Sequence, residues 1–321
     1  MSRTDLYRIA RVILELFIDS YETPPEALIL DIDDTEDETH GNQQLRLFNA
    51  FYDSYCFQPI HIYEGGSGRL LTAILRPGKR PSGREIVSIL KRVVARLRQA
   101  WPGVGILLRA DAHYSGPEVV EFCEALDLKY ILGLMPYPRL LEEARPVMEE
   151  ARRQSEILRR PVKLYGEFHY QARTWLRPRR IVFKAEYNGL GPAVRFVVTN
   201  LESSTPSFLY QTAYCGRGRM ELFIKEHKTH LFSDRTSCSR FEANQFRLLL
   251  HSLAYVLLDT FRRLHLSGTQ WAHAQFDTIR LKLLKIGARV LELRTKIKIH
   301  LPSSFPWKSD FRTIWRSCCF P

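Results

Sequence analysis

The chain has 321 residues, 45% hydrophobic, 26% charged and 12% aromatic, a composition that excludes a disordered, collagen-like or disulfide-stapled protein. Its length allows two small domains or one large domain with an insertion. The net charge of +12 is uneven: residues 205–321 hold 19 Lys and Arg against 8 Asp and Glu, a net +11, which favours a polyanionic partner over a neutral one and leaves a solvated basic helix surface as the alternative.

Residues 6–21 place Ile9, Ile13, Leu16 and Phe17 on one side of a helix that Pro24 and Pro25 stop. A strand follows over 27–35, where Leu28, Leu30 and Ile32 alternate with Ile29, Asp31 and Asp33, so the pleat sends both aspartates to one face. Residues 56–78 read as two strands around a turn at Gly65, Gly66 and Gly68, closed by Pro77-Gly78. Those glycines are not a phosphate loop, because a strand follows where a helix N-terminus would have to face the anion. Next come a helix over 82–100, a strand over 103–111 ending in Asp111, a helix over 118–126 and a strand over 129–135. That alternation is the pattern of an α/β sheet covered on both faces.

After a polar helix over 138–160, three β-rich runs separated by turn residues such as Asn188-Gly189 predict an antiparallel insertion over 161–204. Residues 205–300 read as helical, with helices over 216–228, 240–264 and 271–295, and residues 301–321 form a Pro-rich, poorly patterned tail. The six cysteines are scattered without a C-x-x-C pair, which predicts a reduced, intracellular protein. The N-terminal segment lacks a signal-peptide apolar region, and His251, Ser252 and Asp259 interrupt the longest apolar stretch, so neither secretion nor membrane spanning is expected.

Three acids mark element ends: Asp33 (or Asp31), Asp111 and Glu221. Hard divalent cations take carboxylate oxygens, and two such ions roughly 4 Å apart can activate a water and stabilise the leaving oxygen of a phosphodiester. On a helix turning about 100° per residue, Tyr214, Arg217, Glu221 and Lys228 fall within roughly a 60° arc. The bland alternative is an amphipathic surface helix carrying a Glu221–Lys225 ion pair worth about 0.2–0.5 kcal/mol. His40 and His113, beside the two Asp motifs, are softer ligands than Mg²⁺ prefers and read as structural. Cys238, with His227 and His230, lacks zinc spacing.

The pattern Y-x-x-R-x-x-x-E-x-x-x-x-x-x-K at Tyr214, Arg217, Glu221 and Lys228 resembles the Tyr-Arg-Glu-Lys signature of cut-and-paste DDE transposases from bacterial insertion sequences. LDIDDTEDETHGNQ, YCFQPIHIY, ILRPG, RADAHYSG, YCGRGRMELFIKEHK and RFEANQFRLLLHSLAYVL, in that order, are similar to the insertion sequence 1380 group. The resemblance implies an α/β, ribonuclease-H-like catalytic core in which Asp33, Asp111 and Glu221 bind two Mg²⁺ ions, with Mn²⁺ as a substitute. It divides the chain into 1–160, the first part of that core; 161–204, a β-rich insertion; 205–300, its helical completion; and 301–321, a tail. Tyr214, Arg217, Lys225 and Lys228 are then expected to contact DNA phosphates beside the cleaved end.

The same resemblance implies a cytoplasmic, nucleoid-associated DNA transposase acting on transposon ends and target, as a homodimer on DNA and without a membrane. Its relatives carry an additional N-terminal region that binds the inverted repeats, and no helix-turn-helix precedes Asp33, so a truncated, non-catalytic DNA-binding remnant is the alternative. For Trp175, among Arg173, Arg177, Arg179 and Arg180, packing inside the β-rich segment is the favoured reading, and a platform for a base swung out of a hairpin is the functional alternative.

Overall fold

The computed structural model describes residues 2–319. Helix α1 (Arg3–Asp19) begins with a capping box between Ser2 and Asp5, which satisfies two of the backbone donors a helix start leaves open. It buries Leu6, Ile13, Leu14, Phe17 and Ile18. The strands are β1 (Ala27–Asp34), β2 (Asp37–Glu38), β3 (Leu47–Asn49), β4 (Ser54–Phe57), β5 (Ile60–Glu64), β6 (Leu70–Ile74), β7 (Gly105–Ala110), β8 (Lys129–Leu134), β9 (Val162–Tyr170), β10 (Arg179–Asn188) and β11 (Gly191–Thr199). Eight of them form one sheet in the order β6-β5-β1-β7-β8-β11-β10-β9. β1, β7 and β8 run parallel, while β5 and β6 on one side and β11, β10 and β9 on the other are antiparallel.

The pleat of β1 sorts its residues as its alternation predicts. Leu28, Leu30 and Ile32 join the core with Ile86, Leu90, Val93 and Val94 of α2 (Gly83–Ala100) and with Val119 and Val120 of α3 (Pro117–Ala125). Asp31 and Asp33 face the opposite layer, where a helical run over 206–230 crosses the sheet. Leu209 and Tyr210 seat that run on Ile131, Val182 and Val197. A second core joins Tyr63 and Leu70 of the sheet to Met220, Phe223, Leu249 and Tyr255.

The β-rich segment expected over 161–204 forms the antiparallel strands β9, β10 and β11, which extend the central sheet: β11 pairs with β8, and Ile181, Val182, Phe183, Val197 and Val198 are buried under α4 (Pro138–Leu158). Two expectations need correction. The helix expected over 271–295 is limited to α8, after α5 (Pro206–Phe208), α6 (Arg219–Lys225) and α7 (Phe241–His265). α8 (Phe276–Ile279) and one wide turn (Arg280–Leu284) give way to a hairpin of β12 (Arg289–Leu293) and β13 (Lys296–His300). In β13 the alternation of Lys296 and Lys298 with Ile297 and Ile299 is the period of a strand. The tail is also not unpatterned, since α9 (Lys308–Cys319) buries Ile314 in the second core; Phe320 and Pro321 lie outside the described residues. Among the described residues the six cysteines are free, and no helix is long and apolar enough to cross a membrane.

Candidate functional site

Asp31 pairs across the β1–β7 ladder with Arg109, and Ile32 with Ala110, so the next step along the two strands sets Asp33 beside Asp111 at their carboxyl ends. The two steps on this face do different work. Arg109 grips Asp31 with two hydrogen bonds of 2.7 Å, both side chains being buried, and donates a third bond of 2.7 Å to the carbonyl of Ala213. Asp31 is therefore part of a buried ion pair that fastens the 206–230 run to the sheet, and its carboxylate is taken. Asp33 and Asp111 remain accessible, with 16% and 31% of their side chains exposed.

Asp111 directly follows β7 and caps the turn Ala112–Tyr114, accepting a 2.8 Å bond from the backbone N–H of His113. The His113 ring lies 3.9 Å from the Asp111 carboxylate. Arg217 donates a 2.7 Å bond to Asp33 Oδ2. Burial pushes the Asp33 carboxyl up to about 7, against the pull of Arg217 and with the help of the Asp111 and Asp34 charges. Asp34, on the other side of the strand, accepts a 3.2 Å bond from the Tyr114 hydroxyl, but its Oδ2 is buried without a partner. Burial raises it as well, and the Asp111 charge adds to the effect. Three carboxyl groups, Asp33, Asp34 and Asp111, thus crowd the end of β1, and Arg217 bonds one of them.

The sequence-predicted side chains on the helical run are only partly gathered. Tyr214 is half-buried, its hydroxyl standing where a Cβ on Gly133 would come within 2.7 Å, so the missing side chain of Gly133 in β8 makes the room that Tyr214 occupies. Lys228 points inward, bonding the Glu36 carbonyl and lying 3.9 Å from the buried carboxylate of Asp37. Glu221 and Lys225 are exposed. Among the described residues no three His, Cys, Asp or Glu side chains are placed to hold a metal ion, so the expected set of Asp33, Asp111 and Glu221 is not assembled. The winding supplies a reason: Leu209–Tyr214 and Glu226–His230 are wide π turns and Cys215–Gly218 is a tight 3₁₀ turn. A tight turn ending between Arg217 and Glu221 rotates them off the common stripe that a uniform α-helix would give.

Trp175 is not at the site. It is 6% exposed, packs in the main core against Tyr170, and has the Arg179 guanidinium 4.9 Å above its ring. Arg180 pairs with Thr199 and Thr199 with Ile131, so the loop before β10 lies at the amino ends of the parallel strands, away from Asp33 and Asp111. Arg179 itself is held by Glu124 at 2.7 Å. The sequence reading also passed over Arg109 and Gly133. Both carried a signal, a cation one pleat before Asp111 and a glycine inside an apolar strand.

A model of the family described as Transposase DDE domain group 1 matches residues 1–318. No curated protein matches the chain significantly. Among solved structures, the chain is similar to the piggyBac transposase synaptic complex with hairpin DNA, at 12% identity and a TM-score of 0.48, over 86% of this chain and 56% of that one. It is also similar to the Drosophila P element transposase strand transfer complex, at 14% identity and 0.22, over 40% and 30% of the two chains. The NurA nuclease from Sulfolobus solfataricus matches at 11% identity and 0.28, over 80% and 94%. The chain thus spans about half the length of the piggyBac transposase it matches. Because the family match runs along nearly the whole sequence, the chain belongs to the transposase DDE domain group 1 family.

Proposed function

We propose that this protein is a DDE transposase of the insertion sequence 1380 group, which hydrolyses the phosphodiester at transposon ends and transfers the freed strand by cut-and-paste. The observation that carries the reading is the meeting of Asp33 and Asp111 at the ends of adjoining parallel strands, under Tyr214 and Arg217. The order β6-β5-β1-β7-β8, three antiparallel strands followed by two parallel to β1, supports a ribonuclease-H-like unit. The two aspartates suit Mg²⁺ or Mn²⁺ in donor chemistry, being hard oxygen ligands beside the buried, unpartnered Oδ2 of Asp34. Asp33 and Asp111 would hold the cations; Glu221 of α6, exposed and apart from them in this structure, would have to swing inward to serve as the third carboxylate. A bound divalent ion there supplies polarisation of the phosphate and a more acidic water.

The chain's own residues bind and orient. Arg217 exchanges Asp33 for a phosphate oxygen of the DNA, the Tyr214 hydroxyl donates to a neighbouring oxygen, and Lys225 and Lys228 neutralise the backbone. DNA ends and target are the partners, engaged by a homodimer in the nucleoid. The exposed position of Glu221 favours a second reading, a DNA-binding remnant without catalysis. One experiment separates them: cleavage of end-containing DNA with Mg²⁺ or Mn²⁺ by the wild type and by Asp111→Asn and Glu221→Gln proteins. The enzyme reading expects cleavage by the wild type and none by either variant. Cleavage that survives Asp111→Asn removes the assignment, and an inert wild type that still binds DNA establishes the remnant.

A further inference from the structure

Helices α1 and α2 lie side by side on the main core, over the face of β1 opposite Asp31 and Asp33. Two contacts bridge their seam: Arg96 donates Nε bonds of 2.8 and 3.1 Å to Glu15, and the Arg92 guanidinium lies 5.5 Å over the Tyr7 ring. Tyr7, Arg92 and Arg96 also line a cavity of about 720 Å³ between the helices, inside the range of about 300–1,000 Å³ typical of small-molecule sites. Its floor is Thr72, Ala73 and Ile74 of β6, the edge strand of the central sheet. Along α1 the lining runs from Leu6 to Leu14, about 12 Å of helix.

The walls and the rim differ in chemistry. Leu6, Leu14, Ile89 and Val93 make the walls aliphatic and are buried. Four cations, Arg11, Lys91, Arg92 and Arg96, contribute to the lining, and among the described residues no Asp or Glu does. Glu15 pairs with Arg11 and Arg96, whereas among the described residues Lys91 and Arg92 form no ion pair and stand exposed on α2. A hydrocarbon alone would leave those two cations unmatched, and an inorganic anion or a DNA backbone would leave the aliphatic walls in water. The bridges at Tyr7 and Glu15 also interrupt the seam, so a partner helix about 10–12 Å across finds no continuous groove. A slender apolar chain ending in an anion meets all three conditions.

We propose that the cavity under the α1–α2 seam binds an amphipathic carboxylate, its acyl chain between Leu6, Leu14, Ile89 and Val93 and its head at Lys91 and Arg92. This site is independent of the DNA reading, and either can fail alone. The test is equilibrium dialysis of the full chain against labelled octanoate, decanoate and dodecanoate, each below its micelle concentration. Saturable binding should tighten by about fourfold for each added methylene, as burial of that group requires. Lys91→Gln combined with Arg92→Gln should weaken dodecanoate by roughly 5- to 30-fold, the loss of one or two exposed charge pairs, and leave dodecanol unchanged. Ala95→Trp, at an exposed position of the lining, should abolish binding of both. Because all three positions are exposed, unchanged melting temperatures verify that the variants are folded. Phosphatidylglycerol vesicles form a second arm: cosedimentation that Ala95→Trp abolishes assigns the chain to a lipid, and dodecanoate binding without cosedimentation assigns it to a free acid. Failure of wild type to bind any of the three acids, an affinity independent of chain length, or equal binding by Ala95→Trp overturns the site. Dissociation of a dimer by Ala95→Trp with dodecanoate binding unchanged overturns it too, and makes the seam a contact between copies.

Discussion

Replacing Arg109 by leucine tests whether the face carrying the acids is held by a buried ion pair. The substitution leaves Asp31, which has no exposed surface, without the two 2.7 Å bonds of the guanidinium, and leaves the Ala213 carbonyl without its donor. An exposed pair would be worth about 0–1 kcal/mol. Here one partner is removed from a buried pair, so the expected loss is about 3–5 kcal/mol. The pH dependence gives a second readout. Burial already holds the Asp31 carboxyl above its ordinary range, and Arg109 is the main influence pulling it down. Without Arg109 the folded-state value rises further, so the folded protein holds a proton that the unfolded chain has released. Stability of the variant then falls as pH rises above the ordinary aspartate value of about 3.9, and its deficit shrinks as the medium is acidified towards that value. Urea denaturation followed by circular dichroism between pH 4.5 and pH 8, conditions chosen to span about that range, measures both effects. The doubly apolar protein, Asp31→Leu with Arg109→Leu, should recover most of the loss, because no buried charge is left unpaired. A deficit of about 1 kcal/mol or less that does not change with pH would refute the buried-pair account.

Further outcomes follow from the same geometry. Asp33 is pushed up to about 7 and Asp37 to about 8, mainly by burial, so wild-type stability should decline as pH rises from about 4 to 8, and Asp33→Asn should flatten that slope in urea titrations. Trp175→Ala should destabilise the protein by about 3–5 kcal/mol in the same assay and leave the response of a base analogue at the DNA end unchanged, since its ring fills the core. Gly133→Ala would set a Cβ 2.7 Å from both the Ala112 nitrogen and the Tyr214 hydroxyl. It should cost about 1–3 kcal/mol and impair DNA cleavage while the far-ultraviolet spectrum stays native.

Local periodicity was enough to find most of the strands and helices. The alternation of Leu28, Leu30 and Ile32 with Asp31 and Asp33 placed the acids on one face of a buried strand, because a strand's period is a property of the backbone. The same reasoning read β5, β6, β7 and β8 correctly, and it failed at 289–300, where a strand-like alternation was absorbed into a helix. Spacing also brought Tyr214 and Arg217 to the acids, since they lie on one short stretch of helical backbone. Only the tertiary structure decided the rest. Asp31 and Asp33 are equivalent by pleat, and what distinguishes them is Arg109, 78 residues away, on the neighbouring strand. Trp175 stands among arginines in the sequence, yet the antiparallel return of β10 and β11 carries its loop to the far end of the sheet. Glu221 leaves the stripe because the run over 206–230 is wound unevenly as it packs. Near neighbours in the chain are governed by backbone geometry, which the sequence alone determines; which distant residues meet is governed by how the layers pack, and that decided which aspartate stays open to a ligand.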